Sequence, residues 1–146
     1  MSNNLRAMNL RRANMAMTMV KFRDNKLRIA AAGTPPLLLY RAATGTVEEI
    51  LLEGMPLGSS SLFKYQSQHE FDLASGDTMV LMSDGLPERL NEAEEELGYP
   101  RTQALFASIA TKAPAEICEG LARGGDEWAR GKSQGDDVTF VVIKVK

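Results

Sequence analysis

The stretch TMVLMSDG, residues 78–85, joins a continuous apolar run to an acidic turn. A short apolar run bounded by turn residues is typical of a strand buried on both faces, so we predict a central strand here. The stretch GDDVTFVVIKV, residues 135–145, carries the same two parts in the opposite order, with the acidic residues first. The chain therefore has two acidic clusters, each directly at the end of an apolar strand.

Two carboxylates that a fold brings together repel one another unless a cation lies between them. Asp84 and Asp136 occupy such strand ends, where a rigid frame would hold their side chains in place. This arrangement predicts a site for a hard divalent cation, because Mg²⁺, Mn²⁺ and Ca²⁺ prefer oxygen ligands. A second interpretation stays open on these grounds, since Asp and Gly are also common in strand-end turns that bind nothing.

The composition limits the classes of protein that the chain can belong to. Its 146 residues, 44% hydrophobic and 25% charged, are typical of a single globular domain. The net charge of −2 and the scattered Lys and Arg residues predict no nucleic-acid partner. No apolar run is long enough to span a bilayer and the first residues do not resemble a signal peptide, so we expect no membrane contact and a cytoplasmic location.

The chain has one cysteine, Cys118, and one histidine, His69. A disulfide within the chain and a thiolate zinc site are therefore excluded. We expect His69 to be a structural residue of a polar-alternating strand, and Cys118 and Trp128 to belong to the core.

Hydrophobic periodicity and turn residues predict hairpins first, then helices, then one late strand. This order indicates an α+β fold with a largely antiparallel sheet. Pro87, Thr102 and Pro114 are predicted to start three of the helices, the last of which is interrupted by Gly124 and Gly125. The predicted strands are 15–22, 27–32, 37–41, 46–52, 65–73, 78–82 and 138–146, and the predicted helices are 3–14, 88–96, 102–110 and 114–130.

Four blocks of the sequence, in order, resemble the signature blocks of bacterial SpoIIE-type protein phosphatases. These blocks are AGTPPLL at 32–38, GMPLG at 54–58, GDTMVLMSDGLPE at 76–88 and DDVTFVV at 136–142. The family consists of metal-dependent PPM (type 2C-like) serine/threonine phosphatases of partner-switching and stress signalling. The resemblance covers nearly the whole chain, so we interpret residues 1–146 as one partial SpoIIE-type phosphatase domain.

The resemblance implies a mainly antiparallel β-sandwich flanked by helices, with a two-metal centre of Mn²⁺ or Mg²⁺ at one end. It implies that Asp84 and Asp136 are metal ligands, and that Asp137 and Gly85 support the site without binding the metal. No side chain is the nucleophile in such enzymes, because the attacking water is activated at the metal centre. The implied reaction is hydrolysis of phosphoserine or phosphothreonine on a protein partner, such as an anti-sigma-factor antagonist.

The chain also departs from the family pattern. The family's metal-bridging aspartate, which precedes a Gly-His-Gly-type turn on an early strand, has no counterpart here. We therefore expect these 146 residues to be inactive alone, as part of a longer bacterial sensor or regulator. Uncovered sheet edges would favour a homodimer. The alternative function is a non-catalytic regulatory module that binds a protein through a phosphatase-like fold.

Overall fold

The computed structural model describes residues 14–24, 26–60 and 69–146. The predicted helix at 3–14 lies outside these residues except for position 14. Positions 65–68 of the predicted strand at 65–73 also lie outside them. The described residues form seven strands and two helices. In chain order these are β1 (Met17–Arg23), β2 (Lys26–Ala32), β3 (Leu37–Arg41), β4 (Thr46–Ile50), β5 (His69–Asp72), β6 (Thr78–Met82), α1 (Gly98–Ile109), α2 (Pro114–Ala129) and β7 (Phe140–Lys144).

The chain divides into two compact units, each built on one sheet. The first unit comprises Met1–Thr34 and Leu51–Leu73. Its described strands form an antiparallel sheet in the order β1-β2-β5. Leu27 and Ile29 of β2 are buried on one face, whereas Arg28 between them is exposed, because successive side chains of a strand point to opposite faces.

The second unit comprises Pro35–Ile50 and Ala74–Lys146. Its sheet has the order β4-β3-β6-β7 and all neighbouring strands are antiparallel. The two inner strands, β3 and β6, are the most apolar and the most buried. Both helices pack on this sheet, and the shared core consists of Leu38, Val80, Met82, Leu86, Leu97, Phe106, Ile109, Ala110, Ile117 and Leu121. The predicted α+β architecture with antiparallel sheets is therefore confirmed.

A buried carboxylate stabilises the turn before β6. Asp77 is only 2% exposed, and its side chain accepts hydrogen bonds from the backbone N–H groups of Ala42 and Ala74. The guanidinium of Arg41 lies 3.1 Å from the same carboxylate. Burial alone raises the pKa of Asp77, but the two N–H donors and Arg41 outweigh burial and hold this pKa below its ordinary value.

The predicted helix at 88–96 is wrong. This segment consists of turns and one antiparallel bridge between Leu90 and Glu96. The side-chain oxygen of Asn91 accepts hydrogen bonds from the N–H groups of Ala93 and Glu95, and Glu94 has a left-handed φ of 61°. These local bonds replace the helical hydrogen bonds that the Glu-rich composition would otherwise favour.

Both remaining helices are present, but one starts earlier than predicted. The helix predicted at 102–110 begins at Gly98, and the hydroxyl of Thr102 donates to the carbonyl of Gly98 one turn earlier instead of capping the helix. The helix predicted at 114–130 is continuous from Pro114 to Ala129, so the glycine pair does not interrupt it. A β-carbon on Gly124 would lie 2.3 Å from Cδ2 of Leu105, which shows how closely α1 and α2 approach there.

Cys118 and Trp128 are only partly buried, so their assignment to the core holds in part. Trp128 packs against the core of the second unit, and its indole N–H donates to the carbonyl of Glu95. Among the described residues, no helix combines the length and the apolar composition that crossing a bilayer requires.

Candidate metal centre

The pairing of β6 with β7 brings the two acidic clusters to the same edge of the second unit's sheet. The strands are antiparallel, and Met82, the last residue of β6, lies opposite Phe140, the first residue of β7. Asp84 comes two positions after Met82, and Asp136 comes four positions before Phe140. The C-terminal end of one strand and the N-terminal start of the other therefore present their carboxylates from adjacent backbone segments.

Ser83 joins the two acidic segments through three hydrogen bonds. Its hydroxyl donates to the carbonyl of Asp137 at 2.9 Å and accepts from the N–H of Thr139 at 2.9 Å. Its own N–H donates to the carbonyl of Thr139 at 3.1 Å. Ser83 had no predicted role, although its place between the apolar strand and Asp84 is the one signal in the sequence that points to it.

Gly85 permits the closest approach between the two segments. A β-carbon at this position would lie 2.4 Å from the carbonyl oxygen of Asp137 and 3.2 Å from Cγ2 of Val138. A contact of 2.4 Å to a backbone atom essentially never occurs for a real β-carbon, so only glycine fits here without a shift of the backbone. The supporting role of Gly85 and Asp137 at a metal site stays a prediction.

The carboxylates of Asp84 and Asp136 are both exposed, as is that of Asp137. The backbone of Asp84 is held in a turn, since its carbonyl accepts from the N–H of Glu88 at 2.9 Å. One carboxylate oxygen of Asp136 accepts from the N–H of Asp137 at 2.7 Å, which restricts the rotation of that side chain. Asp136 therefore keeps its other oxygen available for a ligand.

Arg89 connects the turn after Asp84 to the loop before Asp136. Its guanidinium donates to the side-chain oxygen of Gln134 at 2.7 Å and to the carboxylate of Asp126, on α2, at 3.0 Å. Lys132 in the same loop pairs with Glu94. Nothing in the local sequence pattern indicated these contacts, because they join positions that are far apart along the chain.

The carboxylates at this end of the sheet affect the pKa of a neighbouring tyrosine, Tyr99. Burial raises the pKa of Tyr99, and the carboxylates of Asp84 and Glu88 raise it further because they disfavour a second negative charge nearby. Tyr99 lies in the first turn of α1. The phenol therefore stays protonated beside the candidate site at neutral pH and can act as a hydrogen-bond donor.

The residues present fit a hard cation in part. Asp84 and Asp136 supply carboxylate oxygens, and ions such as Mg²⁺ often take only one or two carboxylates from the protein and keep several waters. Within residues 14–24, 26–60 and 69–146, no group of three or more His, Cys, Asp or Glu side chains is placed to hold a metal ion. Asp84 and Asp136 are therefore two candidate positions for metal ligands in the described part of the chain.

Comparisons with known proteins agree with this architecture. The family model described as stage II sporulation protein E (SpoIIE) matches residues 1–146. No curated protein sequence gave a match.

Several solved structures share the fold. The SiaA-PP2C domain of Pseudomonas aeruginosa is similar with a TM-score of 0.84 and 24% identity, over 99% of this chain and 57% of that one. A structure of the PP2C phosphatase domain and a fragment of the regulatory domain of SpoIIE from Bacillus subtilis gives a TM-score of 0.75 and 20% identity, over 98% of this chain and 42% of that one. The serine/threonine phosphatase PstP/Ppp of Mycobacterium tuberculosis gives a TM-score of 0.63 and 17% identity, over 99% of this chain and 68% of that one.

The chain thus spans about half the length of the first two of these structures. At these identities the likeness establishes the fold, while the family model establishes the membership. The chain belongs to the SpoIIE family and has the fold of a PP2C-like phosphatase domain.

Proposed function

We propose that this chain is part of a metal-dependent protein phosphatase that hydrolyses phosphoserine or phosphothreonine on a protein partner. The observation that supports the proposal is the position of two exposed acidic residues, Asp84 and Asp136, just beyond the paired ends of β6 and β7 in a SpoIIE-family chain. The serine/threonine phosphatase PstP/Ppp, which has the same fold, supports the choice of phosphorylated residue.

In this proposal Asp84 and Asp136 bind Mn²⁺ or Mg²⁺, which when bound polarises a phosphoryl oxygen and acidifies a bound water. The rest of the edge keeps the two ligands in place. Ser83 holds the two acidic segments together, and the N–H of Asp137 orients the Asp136 carboxylate. Gly85 allows the backbone after Asp84 to lie against the carbonyl of Asp137.

Metal binding by the chain itself tests the ligand assignment. Titration with Mn²⁺, followed by the loss of the free-ion signal in electron paramagnetic resonance, should show binding that Asp84→Asn and Asp136→Asn each weaken. We expect a loss beyond the roughly 10–100-fold that removal of an outer-sphere partner causes. Asp24→Asn, which removes an exposed carboxylate from the first unit, is the matched control and should bind Mn²⁺ normally. Equal affinity in all three variants would refute the assignment.

Turnover tests the activity. The protein that carries this chain should hydrolyse a chromogenic phosphate ester with Mn²⁺ and lose that activity on Asp84→Asn. An absence of turnover with every divalent metal would favour the alternative, a regulatory module that binds a phosphoprotein without hydrolysing it. We propose a partner of the anti-sigma-factor-antagonist type and a cytoplasmic location, both of which follow from the family resemblance.

We also propose that the chain associates as a homodimer through β1. This strand is at the edge of the first unit's sheet, so one row of its backbone N–H and C=O groups has no neighbouring strand within the described sheet. Met19 and Phe22 on β1 are 59% and 53% exposed, respectively. Phe22 lies opposite Leu27 on the neighbouring strand. Leu27 is fully buried whereas Phe22 is half exposed, so β1 presents apolar surface that a second copy could bury.

A further inference from the structure

Asp136 lies between two anchors, and both come from the segment that carries Asp84. On the C-terminal side of Asp136, the following carbonyl accepts a hydrogen bond from the hydroxyl of Ser83 at 2.9 Å. On the N-terminal side, the side-chain oxygen of Gln134 accepts from the guanidinium of Arg89 at 2.7 Å. Ser83 directly precedes Asp84, and Arg89 follows the turn that Asp84 begins. One short segment therefore bonds to the chain on both sides of Asp136.

The anchor at Arg89 acts on a loop that makes few other hydrogen bonds. Among the residues that the structure describes, no backbone-to-backbone hydrogen bond involves residues 133–136. Gly135 has open space around it, since a β-carbon there would meet no atom within 4 Å. Hydrogen bonding therefore fixes the loop before Asp136 through the side chain of Gln134.

Arg89 is itself held in place by contacts on several sides. Its side chain is only 10% exposed, and its second terminal nitrogen donates to the carboxylate of Asp126 on α2 at 3.0 Å. Its backbone carbonyl accepts from the N–H of Leu97 at 2.9 Å. Its Nε is buried without an acceptor among the described residues, which opposes folding. Stability alone therefore does not account for a guanidinium here, because an apolar side chain would avoid that penalty.

We propose that Arg89 is a positioning residue for the carboxylate of Asp136. Its bond to Gln134 fixes the loop on one side of Asp136, and the bond from Ser83 fixes the other side. Both anchors belong to the segment that carries Asp84, so they hold the backbone at Asp136 in one position relative to Asp84. The consequence for metal binding rests on the proposed function, whereas the fixing of the loop requires no metal.

The charge of Arg89 makes its effect on metal binding distinctive. Arg89→Met removes a positive charge and frees the carboxylate of Asp126, so electrostatics alone would strengthen the binding of a cation. We expect Mn²⁺ affinity to fall about tenfold instead, as it does when an outer-sphere partner is lost. Gln134→Ala, which changes no charge, should lower the affinity to the same degree. The double variant should bind no more weakly than either single variant, because both substitutions remove the same bond.

NMR relaxation of backbone amides tests the loop without metal. The order parameters of the Gly135 and Asp136 amides should fall from roughly 0.85 to below about 0.6 in both Arg89→Met and Gln134→Ala. Because Gln134 is exposed, Gln134→Ala should change the melting temperature by less than about 2 °C. A loss of Mn²⁺ affinity without a loss of stability separates positioning from a general structural role, and Gln134→Ala carries this test even where Arg89→Met folds poorly.

Two substitutions outside the anchor are the matched controls. Ser133→Ala alters the exposed residue beside Gln134, and Ser133 makes no hydrogen bond among the described residues. Arg101→Met removes an equal charge from a guanidinium that lies over the ring of Trp128, 4.6 Å from its centroid. Both variants should keep the order parameters of the unaltered chain, and neither should weaken Mn²⁺ binding.

Unchanged order parameters in Arg89→Met and Gln134→Ala would overturn the proposal, as would Mn²⁺ binding that stays equal or becomes tighter in them. A further loss of about tenfold in the double variant would also overturn it, since two independent effects would then add. Failure of the unaltered chain to bind Mn²⁺ would instead refute the metal-ligand assignment, and the order parameters would still decide whether Arg89 fixes the loop.

Discussion

Gly85 lies against Asp137 so closely that a β-carbon on residue 85 would be 2.4 Å from the carbonyl oxygen of residue 137. The two residues belong to the two acidic clusters, and their contact depends on the pairing of β6 with β7. The close approach of the two acidic segments therefore requires that residue 85 have no side chain.

Substitution of Gly85 by Ala should separate the two acidic segments. We expect a loss of about 1–3 kcal/mol in the free energy of unfolding, since added volume at a tightly packed position forces the backbone to move. Mn²⁺ affinity should fall in the same variant. Urea denaturation and Mn²⁺ titration measure the two effects.

The matched control is Gly135→Ala in the loop before Asp136. A β-carbon there would meet no atom within 4 Å, so we expect a change in stability within about 0.5 kcal/mol. Equal losses of unfolding free energy in Gly85→Ala and Gly135→Ala would show that the contact between residues 85 and 137 does not control the distance between the two acidic segments.

Removal of the Ser83 hydroxyl should loosen the same edge. Ser83→Ala loses the donor to the Asp137 carbonyl and the acceptor of the Thr139 N–H, so we expect a loss of about 1 kcal/mol in unfolding free energy together with weaker Mn²⁺ binding. Ser108→Ala, which removes an exposed hydroxyl that donates to the carbonyl of Leu105, should change neither quantity appreciably. Unaltered metal affinity in Ser83→Ala would argue against a role for this bridge.

The buried carboxylate of Asp77 should make stability depend on pH. Its pKa in the folded protein lies below the ordinary value of 3.8, so the charged form is stabilised by folding. The contribution is complete above about pH 5 and is lost as the pH falls through the folded pKa. We expect Asp77→Asn to lower the unfolding free energy by about 2 kcal/mol at pH 7, because bonds to the charged group are replaced by weaker ones.

Urea denaturation from pH 7 down to about pH 2 should therefore show the unfolding free energies of Asp77→Asn and the unaltered chain becoming equal at the lowest pH. Asp24→Asn is the control, since this exposed carboxylate pairs with the exposed Arg23. A constant difference between Asp77→Asn and the unaltered chain across this range would contradict the assignment of the lowered pKa.

Association through β1 should be sensitive to charge at Phe22. Phe22→Lys places a cation at the exposed apolar edge, and we expect the dimer dissociation constant in sedimentation equilibrium to rise at least about tenfold. Val141→Lys is the comparison, because Val141 is 50% exposed on β7, the edge strand of the other sheet. A monomer at every concentration, or a larger effect at residue 141, would refute the proposed interface.

The outcome of the sequence predictions follows from the range of the interactions involved. The limits of β6 were predicted correctly because its apolar run is continuous and ends at a turn. The segment 88–96 was mistaken for a helix, since composition does not reveal that Asn91 bonds to the backbone of Ala93 and Glu95. The start of α1 was placed at Thr102 because its hydroxyl was expected to cap the helix, whereas it donates to Gly98 inside the helix.

The sequence by itself determined the approximate positions of the strands, the burial of β6 and the presence of carboxylates at two strand ends, because periodicity and turn chemistry act over a few neighbouring residues. Only the tertiary structure decided that these ends meet, that Ser83 bonds to a residue 54 positions away, and that Arg89 joins Gln134 to Asp126. Those relationships depend on strand register and helix packing, which are set by contacts between residues far apart along the chain.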